Sequence, residues 1–340
     1  MKIALDAMGG DHAPVEIVKG AVEAVNNKGI HVILVGMQDA IENELKKYSY
    51  NHDLIEIVHA SEVIEMDEHA ATSFRKKKDA SVTVANKLVA DGIANAVVAA
   101  GSTGAAMTAS LLKIGRIKGV ERPAIALGLM ARKGFVVLLD GGANADCSPE
   151  QLVQFAVMGE VYASVLKKKD RPTVALLNIG EEEVKGNQVV QKAHQLLKNT
   201  DLNFIGNCEG RDIPTGEIDV IVCDGFIGNI VLKLTEGLSI FLFDMIKEAL
   251  TSSFISKIGA LLAMPALKGL KKKLDYRETG GALLLGVNGV SIIAHGSSNA
   301  RAIENAIYKA VQFSEAGMIE AVAKKINASN AAVVESEANN

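Results

Sequence analysis

The sequence predicts an α/β fold of three layers, in which helices cover both faces of a mostly parallel sheet. Three observations carry that expectation. Short aliphatic runs alternate with longer helix-like stretches along most of the chain. The runs are apolar almost without a break, as strands buried on both faces must be. Strand after strand then ends in glycine beside Asp, Asn, Ser, Thr or Glu, the composition of a tight turn into a helix.

The rhythm opens with the strand "KIAL" and a helix over 14–27, where Pro14 suits a first helical position. "HVILVG" and a helix over 38–47 follow, then "LIEIVHA" and a helix over roughly 72–91, then "NAVVAAG" and a helix over 104–115. Two strands in succession, 124–131 and 135–140, break the alternation around Arg132-Lys133-Gly134 and suggest an antiparallel hairpin, read here as an extension for dimerisation. A helix from Pro149 to about Lys168, "TVALLNIG", a helix over 187–198, "NFIGNCEG", "DVIVCDG" and a long helix over 228–250 restore the pattern. No linker divides the chain. Residues 1–325 are therefore expected to form one catalytic domain, with 326–340 as a frayed tail.

Composition narrows the function. The 340 residues are 49% apolar and 22% charged, as in ordinary globular proteins. Aromatics make up 4% and tryptophan is absent, so stacking platforms for nucleic acid are missing; the net charge of −4 also argues against a polyanion as partner. Cys147, Cys208 and Cys223 form no Cys-x-x-Cys pair, which points to a reducing compartment and away from disulfides or zinc. "MKIALDAMGG" reaches a carboxylate after three apolar residues, too soon for a signal peptide. No uninterrupted apolar run reaches the roughly 18 residues of a spanning helix. The expectation is a cytoplasmic protein, soluble or peripheral to a membrane.

Ligands of such sheets gather at the carboxyl ends of strands, where glycines let the backbone approach and helix starts offer free N–H groups. Six strand ends have the required residues: Gly9-Gly10-Asp11, Gly101-Ser102-Thr103-Gly104, Asp140 to Asn144, Asn178 with Lys185-Gly186-Asn187, Glu209-Gly210, and Asp224 with Gly228-Asn229. Each alone reads as a capped turn. Six on one sheet edge would make a crevice of N–H groups, hydroxyls and amides, suited to a small anion such as phosphate. Signatures of other chemistries are missing: there is no Gly-x-Gly-x-x-Gly, no Gly-Lys, no Gly-x-Ser-x-Gly and no His-Glu-x-x-His. No metal site and no cofactor is expected.

The set "DAMGGDHAP", "AGSTGA", "DGGAN", "NIGEEEVKGN", "GNCEGRD", "DVIVCDGFIGNIVLKLTEG" and "HGSS" resembles the bacterial phosphate acyltransferases of phospholipid synthesis, over residues 3 to about 315. The resemblance implies a homodimer with a fold similar to isocitrate and isopropylmalate dehydrogenases and to phosphotransacetylases. It implies transfer of a long fatty acyl group from acyl carrier protein to inorganic phosphate, giving acyl phosphate for a membrane glycerol-3-phosphate acyltransferase. The residues fit that chemistry, because phosphate is itself the nucleophile and a catalytic triad is not needed. Lys185 and Asn229 are the candidates to stabilise the oxyanion, with Asp224 orienting one of them and His295, in "AHGSS", donating a proton. Gly9, Gly10, Ser102, Thr103 and Gly104 are assigned to the phosphate cradle, and Asn144 and Asn178 to substrate binding. Asp6 and Asp11 would repel phosphate and are assigned, with Glu209, to loop support.

Residues 252–275 depart from the α/β rhythm. Phe254, Ile258, Leu261 and Leu262 share one helical face, and beyond Pro265 so do Leu267, Leu270 and Leu274, with lysines at 257, 268 and 271–273. A helix, a proline break and a second helix would form a projecting hairpin that dips into an anionic bilayer; a dimer interface or core flap is the alternative. The basic runs "FRKKKD" at 74–79 and "KKKDR" at 167–171 offer two docking places for acidic acyl carrier protein. A short-chain phosphotransacetylase would share the crevice without needing the hairpin. A decarboxylating dehydrogenase would want an arginine clamp and clustered aspartates, which are absent.

Overall fold

The computed structural model describes residues 1–68, 70–274 and 280–338, with the side chains of 71, 270–274 and 331–338 outside that description. The first half runs β1 (Lys2–Asp6), α1 (Val15–Lys28), β2 (His31–Gly36), α2 (Gln38–Leu45), β3 (Ile55–His59), α3 (Ala70–Lys76), α4 (Ser81–Ala90), β4 (Ala96–Ala99) and α5 (Thr103–Ala109). Next come β5 (Ala124–Ala131), β6 (Gly134–Leu139), α6 (Pro149–Lys167), β7 (Thr173–Leu177), α7 (Gln188–Lys198), β8 (Asn203–Cys208) and β9 (Val220–Val222). The chain continues with α8 (Gly225–Thr251), α9 (Phe254–Leu274), β10 (Ala282–Leu285), β11 (Val290–Ile293), α10 (Ala300–Glu315) and α11 (Met318–Ala338).

Among the described residues the strands form one eleven-stranded sheet, ordered β3-β2-β1-β4-β11-β10-β5-β6-β9-β7-β8. Helices cover both faces. α6 shows why they must: Ser148 and Gln151 close a capping box around its start, Pro149 fixes its first turn, and the helix is buried from Leu152 to Ala163. Its Phe155 and Tyr162 are fully enclosed, Tyr162 against Phe313 of α10.

Neighbouring strands are parallel except where β10 pairs with β11 and with β5, and where β5 pairs with β6. This corrects two expectations. The hairpin β5–β6 is no extension; it lies inside the sheet, where β6 continues to β9 and β5 to β10. Its three reversals of direction also put the carboxyl ends of β1, β4 and β11 on one edge of the sheet and those of β6, β7, β8 and β9 on the opposite edge. The six glycine-bearing ends therefore do not share an edge.

Other departures are local. The single helix expected over 72–91 is two, α3 and α4, because Asp79 between them accepts hydrogen bonds from the Ser61 N–H and hydroxyl, at 2.7 and 2.6 Å. Pro265 does not break α9. Proline deprives the Leu261 carbonyl, four residues back, of its donor, and Leu261 is an exposed residue. From 326 onward, where fraying is expected, α11 continues to Ala338; Ile326 is buried and the Asn330 amide donates to the Gly119 carbonyl. α8 is, by length and composition, the one helix among the described residues able to cross a membrane, although Lys233, Glu236 and Asp244 interrupt its apolar run. α9 packs against it.

Candidate active site

On the first edge, three loops meet. The buried Asp6 carboxylate at the end of β1 accepts the Met8 N–H at 3.2 Å. Burial pushes this carboxyl up, against hydrogen bonds from Ser81, Met8 and Gly9. Gly9 lies against the loop after β4, since a Cβ there would stand 2.7 Å from Asp6 Oδ2 and 3.0 Å from Gly101 N. Gly10, at φ +102°, passes the Ala100 and Gly296 carbonyls. The Asp11 N–H donates to the Gly296 carbonyl at 2.8 Å, which fastens the loop after β11. Ser102 caps α5 by accepting the Ala105 N–H at 3.4 Å, and Thr103 and Gly104 are exposed beside it. The segment before α4 covers this floor, with Met66 over Gly296 and Ala70 against Gly104.

On the second edge, Asp140 at the end of β6 is completely buried. One of its oxygens accepts N–H groups of Ile125, Gly142 and Ala143 at 3.0 to 3.1 Å, and the other accepts the Asn144 N–H and side-chain amide at 2.7 and 2.9 Å. Burial raises this carboxyl, and those bonds oppose the rise. Asn144 is thereby committed to the loop; its amide also reaches the Pro123 carbonyl. Asp224 caps α8 by accepting the Ile227 N–H at 2.8 Å. Gly228 lies so close to the Asp140 carbonyl that a Cβ would sit 1.8 Å from it. The result places Asn229, exposed, over Gly142.

Asn178 holds the next loop, accepting the Ile179 N–H and donating to the Lys185 carbonyl. Lys185 is exposed, and no carboxylate lies within 4 Å of its ammonium among the described residues. Glu209 is engaged elsewhere, capping a short turn with Asp212 and pairing with Arg211 at 2.9 Å. Between the Lys185–Asn187 loop and the start of α8 opens a cleft of about 230 Å³.

α8 links the two edges. His295 Nδ1 accepts the Ser297 N–H at 3.1 Å, and its Nε2 lies 3.5 Å from Lys233 Nζ. Asn229 and Lys233 are one helical turn apart, about 6 Å along the axis. The structure thus brings Asn229, Asp224 and Asn144 together, and separately Gly9, Gly10, Ser102, Asp11 and His295; Lys185 and Asn178 flank the first group, and Glu209 stands apart. Lys233 escaped the sequence reading, and Asp140 and Gly101, though named at their strand ends, were given no role of their own. A strand-terminal aspartate with Gly-Gly within the next four residues, as at Asp6 and Asp140, was the available signal. Among the described residues no group of three His, Cys, Asp or Glu is placed to hold a metal ion.

Chemically, both edges offer oriented N–H groups and amides, and at the first edge the Ser297 hydroxyl lies 2.8 Å from His295 Nδ1. Burial first, then Asp140 and Asp224, push the Cys147 thiol up to about 12, and burial raises Cys223 as well, so neither is a thiolate near neutrality.

Solved structures share the architecture. A phosphotransacetylase from Streptococcus pyogenes superposes with TM-score 0.62 at 19% identity, covering 94% of each chain. A 4-hydroxythreonine-4-phosphate dehydrogenase from Klebsiella pneumoniae gives 0.51 at 13% identity over 92% of this chain and 99% of its own. Fold and relatives together define an acyltransferase. A protein named phosphate acyltransferase from Heliobacterium modesticaldum is 57% identical over 327 residues, 96% of this chain and 98% of that one. Residues 1–321 match the family described as fatty acid synthesis protein, and the chain belongs to it.

Proposed function

We propose that this acyltransferase moves a long-chain fatty acyl group from acyl carrier protein to inorganic phosphate, and that the acyl phosphate feeds a membrane glycerol-3-phosphate acyltransferase on the way to phosphatidic acid. The observation that carries the reading is α8. It joins a glycine-lined loop cluster fit for an anion to an exposed Asn229 over Gly142, fit for an oxyanion, within one turn. Phosphate is seated by the loops of Gly9, Gly10, Ser102 and Thr103. One of its oxygens attacks the thioester carbonyl, the carbon–oxygen bond forms as the carbon–sulfur bond breaks, and the thiolate takes a proton from His295. Asn229 and Lys185 stabilise the charge that develops on the carbonyl oxygen. Phosphate is a substrate here, and no cofactor enters.

Of the two basic runs, Lys167 and Lys169 are bound to Asp219, whereas Arg75, Lys76 and Lys78 are exposed beside α5; these last are the dock for the acidic carrier. The face of α9 with Phe254, Ile258, Leu261 and Leu262, each about half exposed or more, meets the membrane from the cytoplasmic side, while Leu267 is half-buried. The side chain of Leu270 lies outside the described residues. On α8 a second stripe, Ile230, Leu234, Leu238, Phe241 and Met245, repeats every three or four residues, and a second copy of the chain covers it in a homodimer.

The test mixes purified protein, hexadecanoyl acyl carrier protein and phosphate, and measures acyl phosphate and free thiol in equal amounts. Absence of both, or a strong preference for coenzyme A thioesters, would refute the assigned donor.

A further inference from the structure

The cleft of about 230 Å³ at the start of α8 is unused by the mechanism above. Its walls are Leu152, Leu176, Leu177, Val189, Val190 and Ile227, and Cys147 and Cys223 complete the lining. Polar groups are confined to Asp146, Asn187 and Asp224. We propose that this cleft receives the carbonyl-proximal stretch of the fatty acyl chain, an inference that rests on the acyl transfer proposed above.

Three observations support an alkyl occupant. Asp146 and Asp224 would repel phosphate or a carrier phosphodiester, so an anion is the wrong guest. Both thiols are held neutral by burial and by the neighbouring aspartates, and a neutral thiol lines a wall as a small apolar group. The cleft is also continuous with the reacting end, because Asp224 caps the helix that carries Asn229, and Asn187 is two residues beyond Lys185. A methylene is close in size to a water molecule, which needs roughly 10–15 Å³ of such space, so the cleft takes several chain carbons. A long chain fills it and extends outward; a short one leaves it partly empty.

The pantetheine arm of the donor is the competing occupant, and the experiment separates the two. Val190→Phe fills the cleft. The ratio of kcat/KM for a hexadecanoyl donor to that for a butyryl donor on the same carrier is expected to fall at least tenfold, since each methylene excluded from an apolar pocket is worth about that much. A ratio that stays constant while both donors weaken together assigns the space to pantetheine and overturns the proposal. A second measurement uses the unmodified protein and needs no turnover: at about pH 9 and high reagent, where the small thiolate fraction of Cys147 is alkylated slowly but measurably by iodoacetamide, hexadecanoic acid should slow that alkylation at least threefold, read by peptide mass, and butyric acid should not. Equal alkylation rates with and without hexadecanoic acid overturn the proposal even if the variant misfolds. Should the protein make no acyl phosphate from any donor, the proposed function falls, while Cys147 protection still decides the cleft.

Discussion

Asp6 and Asp140 solve the same problem at two strand ends. Each is a buried carboxylate followed by a Gly-Gly loop whose N–H groups it collects, and each loop leads to a helix opened by a proline, Pro14 before α1 and Pro149 in α6. An aspartate buried without such donors would lose its charge. The loops' conformation is therefore fixed by the carboxylates, and the exposed residues beside them are positioned at second hand. Asn229→Ala is expected to reduce kcat about a hundredfold to a thousandfold with little change in KM for phosphate, as for removal of one oxyanion donor. Ser102→Ala should instead raise the KM for phosphate. Steady-state kinetics separate the two, and an unaltered phosphate dependence removes Ser102 from the cradle. Gly228→Ala should lower stability by more than about 3 kcal/mol, because its methyl collides with the Asp140 carbonyl, and thermal denaturation would show it.

At the scale of elements, Asp219 ties the start of β9 to the end of α6 and the start of β7. It accepts from Lys167, Lys169, the Thr173 N–H and the Thr173 hydroxyl at 2.6 to 3.0 Å. Burial alone would raise its carboxyl, but hydrogen bonds from Lys169, Lys167 and Thr173 hold it well below the usual range. A carboxylate depressed by folding adds stability that is fully present above its unfolded value, about 3.9, and disappears as pH falls through the folded one. Asp219→Asn should therefore cost on the order of 2 kcal/mol at neutral pH and flatten the loss of stability below about pH 4, measured by denaturant titration. For α9, deletion of Phe254–Leu274 should abolish pelleting with anionic liposomes; undiminished pelleting would count against a membrane role. Strands and helices up to α8 were legible in the aliphatic runs and glycine-bearing ends, apart from the division of 72–91 into α3 and α4. β10 and β11 were not, because each has four residues set among glycines at 280, 281, 286 and 289, too short for a clear period. Pro265 misled because proline removes a donor from a helix interior and usually ends or kinks the helix, whereas α9 runs through it.

For the whole molecule, sequence patterns carried the layers and the parallel character but not the direction of the sheet. Two adjacent strands in a row say that a hairpin exists; only long-range pairing of β5 with β10 and of β6 with β9 says that it sits centrally and that β6, β7, β8 and β9 run opposite to β1, β4 and β11. That reversal makes α8 the connector between two half-sites. The apolar stripe of α8 is exposed, and the homodimer proposed for it is tested by Leu234→Asp with Leu238→Asp, which should give a monomer by light scattering where the unaltered protein gives a dimer. The central claim is that phosphate strikes the thioester directly, with no acyl group passing through the neutral thiols or through Ser297, whose hydroxyl lies 2.8 Å from His295 Nδ1. Initial velocities with carrier thioester and phosphate varied together test it most directly, combined with the intact mass of the protein during turnover. Intersecting reciprocal plots and an unchanged mass are the predicted result; parallel plots with an acylated polypeptide would contradict it.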